Sequence, residues 1–556
     1  MEAARDALLV GDAAAALPVF AEAAAQAPSD PAPRYWLAAA MMQAGEPADD
    51  VLNDARTLHA MGLLKGAGVD VGRLRTDPAY AGQVAVQLYG QNLVACASVA
   101  WGMALSTGQI DAAGLLNLAL SLQHQGRIEE AVLYLQVALE NFPSAALHNF
   151  LVYAQLFRGE DFYVAEARAW AARWANLPPP APNAVQPAAG RKLRIGYVAP
   201  RFAGSQLRQF IAPILEGHDP DAVEVTLYPA EAATEADWPA WIRVRPIGGL
   251  DDAAAADLIR ADGIDVLNDC WGHTAGCRLG VFARKPAPVQ VAWINFFHTT
   301  GLPQIDYVLH GEVPGAPDLS DQFAETLWRA GPVFSPFRAS ADRLAPVETP
   351  AKAAGVVTLA SFNHPAKLSD GCLAAWATVL RNARNSRLLL KYRYYADPLL
   401  QETTRARFLA HGVAVEQLLF GGHSTGEEYV RTFQVVDLML DSWPSPGSTT
   451  TLEALSNGVP VLAMAEDSVG GVYARGLLEA AGLPELVTDT PEAFVARALE
   501  LIGDIDGLDR LRTRVRPGFD EGPLCDEAGF VRRLEASFRA MLAQASQVPA
   551  ARAVAG

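Results

Sequence analysis

After residue 190 the sequence alternates short apolar segments with longer helical patterns, and this alternation limits the possible folds more than any other feature. The apolar segments form two sets. The first set lies at residues 193–198, 224–228, 264–267, 289–293 and 307–309, and the second at residues 356–362, 387–391, 418–420, 438–440 and 459–463. Short strands that alternate with helices predict a parallel, helix-covered sheet. Two sets therefore predict two Rossmann-like halves, with ligands bound at the carboxyl ends of the strands and in the cleft between the halves.

Residues 1 to about 175 have a different pattern, which is almost continuously helical and punctuated by glycines. Gly45 follows Gly11 by thirty-four positions, and Gly159 follows Gly126 by thirty-three. A period of this length is typical of helical-hairpin repeats. The order of small, aromatic and proline residues between the glycines resembles tetratricopeptide repeats. Because such arrays offer long surfaces for other proteins, we expect this region to bind a partner.

The proline-rich stretch at residues 178–187 separates the two patterns, because proline cannot continue a helix. We therefore predict tetratricopeptide-like helical repeats at 1–177 and a proline-rich linker at 178–190. A first Rossmann-like half is predicted at 191–345 and a second, with a C-terminal helix, at 346–556. The predicted fold class is an α-helical repeat domain followed by an α/β pair of Rossmann-like domains.

Composition excludes several classes of protein. A net charge of −18 disfavours nonspecific binding to nucleic acid, which needs a basic face. No apolar run approaches the roughly 20 residues of a membrane helix, and the N-terminus lacks the features of a signal peptide. We therefore expect a cytoplasmic protein with no nucleic-acid or membrane partner. The five cysteines are widely scattered, which indicates neither a disulfide framework nor a zinc site.

The stretch at 445–464 carries the clearest chemistry, because it reads as a turn, a helix and a strand in one unit. Ser448, Thr449 and Thr450 follow a Pro-Gly bend as the helix begins. A helix start offers unpaired N–H groups and a partial positive charge, which suit a phosphate. Glu453 lies one turn further and can accept two hydrogen bonds from a ribose diol. The simpler alternative is an ordinary helix capped by Ser or Thr.

Several segments in one order resemble the O-GlcNAc transferase and SPINDLY-like family, which joins tetratricopeptide repeats to a two-Rossmann GT-B glycosyltransferase. The resemblance covers roughly residues 193–505, and its most specific parts lie at 272–293, 299–307, 361–369 and 446–453. It implies an inverting protein O-glycosyltransferase whose second Rossmann-like half binds a nucleotide-sugar donor. The acceptor would be a Ser or Thr of a protein held by the repeats, and no metal or other cofactor is expected.

The resemblance also implies roles for single residues. Lys367 matches the lysine that contacts the donor diphosphate and stabilises the leaving nucleotide. Thr449 and Thr450 match residues that hold the phosphates, Glu453 matches the acidic residue on the ribose, and Ser448 occupies the position before the Thr pair.

Three further residues have two interpretations each. His364 is at a donor-contacting position, but it is equally suited to cap a helix. His273 and Arg278 lie in a turn between strand and helix that could bind an oxygen-rich ligand or serve the structure alone.

The chain departs from the family pattern where the sugar would bind. In the first strand–helix loop, Arg201 replaces the acidic residue of the family and Ser205 replaces its histidine. With Arg208, the loop has two guanidinium groups, which match a carboxylate. One hypothesis is therefore an acidic donor sugar, a nonulosonic acid carried by CMP, as in flagellin glycosyltransferases that resemble this family. The alternative is that Arg201 pairs with a nearby acid.

The acceptor-side loop at 295–301 is bulkier than in the family, and it contains His298. Because histidine titrates near neutrality, His298 is the best remaining candidate for the general base. Tyr429 replaces a family histidine on the donor side.

Three hypotheses follow for the whole chain. The first is a protein O-glycosyltransferase, with flagellin as one candidate acceptor. The second is a non-catalytic repeat scaffold with a degenerate GT-B domain, and the third is an epimerase or a small-molecule glycosyltransferase. Retention of Lys367 together with the Thr pair and Glu453 favours the enzyme, since a decayed site has no reason to keep leaving-group stabilisers.

Overall fold

The computed structural model describes residues 1–106, 111–177, 190–204, 206–231 and 237–547. The predicted linker at 178–190 lies outside the described residues except for Gly190, and so do Ser205 and the C-terminal tail after residue 547. No helix among the described residues is both long enough and apolar enough to cross a bilayer.

The N-terminal part of the chain folds into antiparallel helical hairpins, as its glycine spacing predicts. Gly11, Gly45, Gly126 and Gly159 each lie between two helices with a positive φ, which only glycine adopts readily. The helices of this region are α1 (Glu2–Leu9), α2 (Ala13–Gln26), α3 (Ala32–Ala44), α4 (Asp49–Gly66), α5 (Val71–Leu74), α6 (Pro78–Gly90), α7 (Val94–Ser106), α8 (Ala112–Gln123), α9 (Ile128–Asn141), α10 (Ala145–Gln155) and α11 (Glu160–Trp174).

The next part of the chain forms a parallel sheet. Its elements are β1 (Leu193–Ala199), α12 (Leu207–Gly217), β2 (Val223–Pro229), β3 (Arg243–Val244), α13 (Asp252–Ala261), β4 (Val266–Asp269), α14 (Leu279–Phe282), β5 (Val289–Ala292), β6 (Tyr307–His310) and β7 (Thr326–Arg329). Within the described residues, the strand order is β3-β2-β1-β4-β5-β6-β7.

A second parallel sheet follows. From residue 351 to residue 547 the elements are, in chain order, α15 (Ala351–Ala354), β8 (Val357–Ser361), α16 (Asp370–Asn382), β9 (Ser386–Lys391), α17 (Pro398–Ala410), β10 (Leu418–Gly421), α18 (Gly426–Phe433), β11 (Leu438–Leu440), α19 (Thr449–Ser456), β12 (Val461–Met464), α20 (Val469–Ala480), β13 (Val487–Thr488), α21 (Pro491–Gly503), α22 (Ile505–Glu521) and α23 (Glu527–Gln547). In this part of the described chain, the order is β10-β9-β8-β11-β12-β13.

Every strand pair in both sheets is parallel, with β1 and β8 near the centre of their sheets. Their side chains are almost entirely buried, because helices cover both faces of a parallel sheet. The predicted fold class, helical repeats followed by two Rossmann-like domains, is confirmed.

The chain divides into two compact units that do not follow chain order. Unit 1 contains Met1–Pro143, Leu344–Met464 and Glu485–Arg514, and unit 2 contains Ser144–Arg343, Ala465–Pro484 and Val515–Gly556. Helices α1–α9 therefore belong with the second sheet, whereas α10 and α11 belong with the first. The predicted division at residue 177 is not a boundary between these units.

Apolar packing explains this grouping. In unit 1, Leu8 and Phe20 of the first hairpin share a buried cluster with Leu409 of α17. In unit 2, Tyr163 and Trp170 of α11 share another cluster with residues of the first sheet. Each group of hairpins buries its apolar face against one sheet and forms a common core with it.

Candidate functional site

In unit 1, hydrogen bonds connect the loop that follows β8 to the loop that follows β11. After β8, the amide of Asn363 donates hydrogen bonds to Asp441 Oδ1 and Ser442 Oγ, both at 2.9 Å. The same side chain accepts a bond from Thr450 Oγ1 at 2.6 Å. One asparagine therefore joins the loop after β8 to the loop after β11 and to the first turn of α19.

Lys367 lies in a single 3-10 turn, Pro365–Lys367, which follows β8. Its ammonium donates to the carbonyl oxygen of Pro446, just before the start of α19. Burial lowers the pKa of Lys367, and the nearby carboxylate of Asp441 partly offsets this shift. The structure thus places a partly buried lysine beside a helix N-terminus. Both groups favour an anion, and together they suit a diphosphate.

The helix start is not an ordinary cap. Ser448 occupies the N-cap position of α19, but its side chain makes no capping hydrogen bond to the helix. Thr449 is the first residue of the helix and Thr450 the second. The structure therefore does not contain the Ser-capped helix of the simpler alternative. The N–H groups at this end of α19 are suited to a ligand.

Asp441 holds the bend before α19, and the sequence did not single it out. Its Oδ1 accepts hydrogen bonds from the backbone N–H of Gly447 at 2.7 Å and of Ser442 at 2.9 Å. A Cβ at Gly447 would lie 3.0 Å from that oxygen and closer still to the hydroxyls of Thr450 and Thr451. Glycine is required here because the bend packs against these polar atoms.

Glu453 in α19 has a partner from another helix. Tyr429 of α18 donates its hydroxyl to Glu453 Oε2 at 2.6 Å. Burial raises the pKa of Glu453, and the bond from Tyr429 opposes that shift. The tyrosine that replaces the family histidine therefore contacts the carboxylate predicted to bind the ribose.

His364 uses both ring nitrogens within the protein. Its Nδ1 accepts a hydrogen bond from the backbone N–H of Ala366 at 3.0 Å, which caps the Pro365–Lys367 turn. Its Nε2 lies 2.9 Å from Nδ1 of His124. This geometry favours the capping interpretation of His364, and direct contact with a donor remains a prediction.

In unit 2, His273 and Arg278 serve the local structure. His273 is buried, with Nδ1 2.7 Å from Asn149 Oδ1 and Nε2 2.8 Å from the carbonyl of Thr300. Arg278 donates to the carboxylate of Asp252 and to two backbone carbonyls, one of them that of Ile247. These contacts favour the structural interpretation of the turn.

His298 in the 295–301 loop is also buried, at 4 % exposure. Its Nδ1 lies 3.0 Å from Glu160 Oε1, and its ring packs against Tyr163 and Phe297. The next two residues of the loop, both threonines, donate to the buried carboxylate of Glu325. A carboxylate beside one nitrogen orients an imidazole for proton transfer through the other. The role of His298 as general base stays a prediction.

Arg201 lies in the first strand–helix loop and Arg208 in the first turn of α12, and both have partners in unit 2. Arg201 Nε lies 3.7 Å from Glu231 Oε2, with both side chains about half exposed. The guanidinium of Arg208 lies over the ring of Trp238, 5.1 Å from its centroid. Arg201 therefore pairs with a nearby acid, as the alternative to an acidic sugar predicts. Ser205 lies outside the described residues.

The predicted site residues thus fall into two groups. Unit 1 brings together the set Lys367, His364, Ser448, Thr449, Thr450 and Glu453. Unit 2 contains the set Arg201, Arg208, His273, Arg278 and His298. Among the described residues no group of three or more His, Cys, Asp or Glu side chains could hold a metal ion. A reaction without metal or other cofactor remains a prediction.

Helical hairpins, two parallel α/β sheets, and a lysine beside a helix start at the carboxyl end of the second sheet define the GT-B class of glycosyltransferase folds. Residues 179–334 and 349–534 match glycosyl transferase family 41. Residues 7–49 match a tetratricopeptide repeat, which confirms the repeat prediction in that segment. Because the first match covers more than half of the chain, this protein belongs to glycosyl transferase family 41.

Individual relatives agree with this assignment. The SPINDLY proteins of Hordeum vulgare and Oryza sativa subsp. japonica, each named a probable UDP-N-acetylglucosamine–peptide N-acetylglucosaminyltransferase, are both 33 % identical to this chain. The matches cover 64 % and 67 % of this chain but only 38 % and 41 % of those proteins. The chain therefore spans about two fifths of the length of these curated relatives.

A solved structure matches nearly the whole chain. It is a mutant of the O-GlcNAc transferase of Thermobaculum terrenum, with a TM-score of 0.76 and 27 % sequence identity. The match covers 98 % of both chains, so it includes the helical hairpins as well as the two α/β parts.

Proposed function

We propose that this protein is an inverting protein O-glycosyltransferase, which transfers a sugar from a nucleotide-sugar donor to Ser or Thr of an acceptor protein held by the helical hairpins. The observation that supports this most directly is the placement of the Lys367 ammonium at the start of α19, one turn before Glu453. Family membership gives independent support, since the names of the relatives describe transfer of N-acetylglucosamine to peptides.

In this reaction the acceptor hydroxyl attacks the anomeric carbon from the face opposite the nucleotide. The bond from that carbon to the diphosphate breaks, and negative charge grows on the leaving nucleotide. Lys367 and the helix start meet this charge, so they stabilise the transition state more than the bound donor. Glu453 holds the ribose, and His298, beside Glu160, takes the proton of the hydroxyl.

The helical hairpins hold the acceptor in this proposal, because repeat arrays present extended surfaces for other proteins. We expect the acceptor to be a protein of the same cytoplasmic compartment, with flagellin as one candidate. No nucleic acid or membrane partner is expected, given the net charge of −18.

Nucleotide binding is the first test. UDP, GDP and CMP are titrated into the protein by calorimetry. Several nucleotides are compared because Lys367 and the start of α19 are assigned to the phosphates, and no residue is assigned to the base. We expect a nucleoside diphosphate to bind and Lys367→Ala to weaken it at least tenfold, because a buried charge–phosphate contact is lost. Lys65→Ala, which removes an exposed lysine of α4, is the matched control and should change nothing.

Transfer is the second test. UDP-N-acetylglucosamine is incubated with candidate acceptors, and the mass of each intact acceptor is measured. His298→Gln should lower transfer about a hundredfold while nucleotide affinity is kept, as expected for loss of a general base. If no nucleotide binds, the scaffold hypothesis replaces the enzyme.

The acidic-sugar alternative gives a different result in the same experiments. It predicts a preference for CMP, no transfer from UDP-N-acetylglucosamine, and loss of transfer from a CMP-linked acidic sugar when Arg201 and Arg208 are both changed to Gln. Because Arg201 pairs with Glu231 and Arg208 lies over Trp238, we expect the double variant to keep its nucleotide affinity and its transfer.

A further inference from the structure

A turn of the helical hairpins packs directly on the turn that carries Lys367. The turn between α8 and α9 contains His124 and Gly126, and it belongs to unit 1 together with the second sheet. Both residues contact the segment that runs from His364 to Lys367. This contact was invisible in the sequence, because 240 positions separate His124 from His364.

The donors and acceptors of this contact follow one fixed order along the chain of hydrogen bonds. A backbone N–H can only donate, so the bond from Ala366 makes Nδ1 of His364 an acceptor. In a neutral ring the proton then sits on Nε2, which donates to Nδ1 of His124. His124 in turn carries its proton on Nε2 and donates to the hydroxyl of Tyr89, 2.9 Å away.

Burial keeps both histidines neutral, as this order requires. Burial and, to a smaller extent, the charge of Arg393 together lower the pKa of His124 to about 3. Burial also places the pKa of His364 well below its ordinary value, with smaller effects from His124, Lys367 and Arg393. The ring of His124 is stacked on Tyr394, with 4.4 Å between centroids, which fixes its plane.

Gly126 makes the second contact with the Lys367 turn. It adopts a φ of +79°, and a Cβ at this position would lie 3.1 Å from the carbonyl oxygen of Pro365. The hairpin backbone therefore lies against the first residue of the Pro365–Lys367 turn, while His124 holds the cap of that turn. On the other side of the turn, the ammonium of Lys367 is held by the carbonyl of Pro446.

We propose that His124 is a positioning residue for Lys367, and that the α8–α9 turn of the hairpins thereby sets the geometry of the nucleotide site. The proposal rests on the proposed function, because it assigns Lys367 to the donor diphosphate. It makes the hairpins part of the scaffold of the donor site, in addition to their role in holding an acceptor.

Two amide substitutions of His124, each of which keeps a polar atom near one of the two ring nitrogens, separate positioning from general stability. His124→Asn keeps an acceptor where Nδ1 faces His364 but loses the contact with Tyr89. His124→Gln reaches Tyr89 but loses the acceptor that faces His364. Tyr89→Phe breaks the same chain of bonds on the side away from Lys367 and is the matched control. Thermal unfolding of each variant verifies that it is folded.

Hydrogen exchange of the peptide at residues 362–369, measured by mass spectrometry, reports the turn without any ligand. We expect faster exchange in His124→Gln and unchanged exchange in His124→Asn and Tyr89→Phe. Calorimetry with UDP or GDP, whichever binds the unaltered protein more tightly, reports the nucleotide site. We expect about tenfold weaker binding in His124→Gln and less than about twofold in the other two variants, as for loss of one buried hydrogen bond.

A double variant tests whether His124 acts through Lys367. If it does, His124→Gln combined with Lys367→Ala binds the nucleotide no more weakly than Lys367→Ala alone. Equal losses in His124→Asn and His124→Gln, additive losses in the double variant, or unchanged exchange in His124→Gln would each overturn the proposal.

Failure of the proposed function has a different signature. In that case the unaltered protein binds neither UDP nor GDP, whatever residue stands at 124. Hydrogen exchange then decides the positioning of the turn by itself: faster exchange in His124→Gln alone supports it, and equal exchange in all variants overturns it.

Discussion

The carboxylate of Asp397 accepts a hydrogen bond from the backbone N–H of Cys96, at 3.1 Å, although the two residues are 301 positions apart. The same oxygen, Oδ2, accepts from the N–H of Ala95, and Oδ1 accepts from the N–H of Leu399. One buried side chain therefore caps the start of α7 in the hairpins and the start of α17 beside the second sheet. These hydrogen bonds join the helical hairpins of unit 1 to its α/β part.

Removing this double cap should cost more than removing an ordinary one. A single N-cap contributes about 1 kcal/mol, and buried N–H groups without a partner cost more, so Asp397→Ala should lower the free energy of unfolding by about 2–4 kcal/mol. Asp12→Ala removes an exposed cap of α2 and should cost about 1 kcal/mol. Urea unfolding of both variants gives the comparison. Equal losses would show that Asp397 acts on one helix only.

Hydrophobic periodicity was sufficient to predict most of the fold. The ten predicted strands are all present, within two residues at each end. Among the described residues, three strands escaped prediction: β3, β7 and β13. Each is an edge strand with partly exposed residues, so it lacks the continuous apolar run that marks a strand buried on both faces.

Grouping of the hairpins with the sheets could not be predicted, because it depends on contacts between distant segments. Local composition marks a boundary where the pattern changes, near residue 177. Whether α9 and α10 belong to one body or two depends on which sheet each apolar face meets, and the sequence pattern does not contain that information.

Prediction of the site was uneven for a similar reason. Lys367 and the start of α19 are local motifs and lie together as expected. Asn363 and Asp441 are single polar residues at strand ends, and only their shared hydrogen bond reveals their role. His273 was also ambiguous, because its partner Asn149 is 124 positions away.

Nucleotide binding should be coupled to proton uptake by Lys367. Burial lowers its pKa in the free protein, whereas a bound diphosphate favours the charged ammonium and raises the pKa again. Binding therefore takes up a proton, and the uptake grows as the pH rises through the pKa of the free protein and falls again above the pKa of the complex. Calorimetry at pH 7.5 and 9.5, in buffers with different heats of ionisation, measures it; the phosphates do not titrate there, since their pKa is about 6. Unchanged uptake in Lys367→Met would exclude this lysine as the group.

Glu453 should distinguish ribose from deoxyribose. Each hydrogen bond from the ribose diol to a carboxylate contributes roughly 1.5–3 kcal/mol to the binding free energy. The protein should therefore bind UDP at least about tenfold more tightly than 2′-deoxy-UDP, which lacks one of these hydroxyls. Glu453→Ala should abolish that difference. Tyr429→Phe removes the donor to Oε2 and leaves the carboxylate less well oriented, so it should reduce the preference by about threefold. A preference that persists in Glu453→Ala would assign the ribose to another residue.

The stability of unit 2 should depend on the ionisation of Asp269, at the carboxyl end of β4. This carboxylate is buried, and burial raises its pKa to about 7, although the backbone N–H groups of Gly272 and Trp271 donate to it. The folded protein therefore binds this proton more tightly than the unfolded chain, where an aspartate has a pKa of about 3.9. Stability from this group is fully present below pH 4 and is lost as the pH rises through 7.

Asp269→Asn tests this relationship, because the amide cannot ionise but can still accept a bond from the turn. The difference between the pKa of Asp269 in the folded protein and in the unfolded chain corresponds to about 4 kcal/mol at most. The free energy of unfolding of the unaltered protein, relative to that of the variant, should therefore fall by up to about this amount between pH 4 and pH 8. Urea unfolding at several pH values in this range measures the difference. Parallel pH profiles for the two proteins would mean that Asp269 is ionised throughout, with its charge stabilised by the N–H groups of the turn.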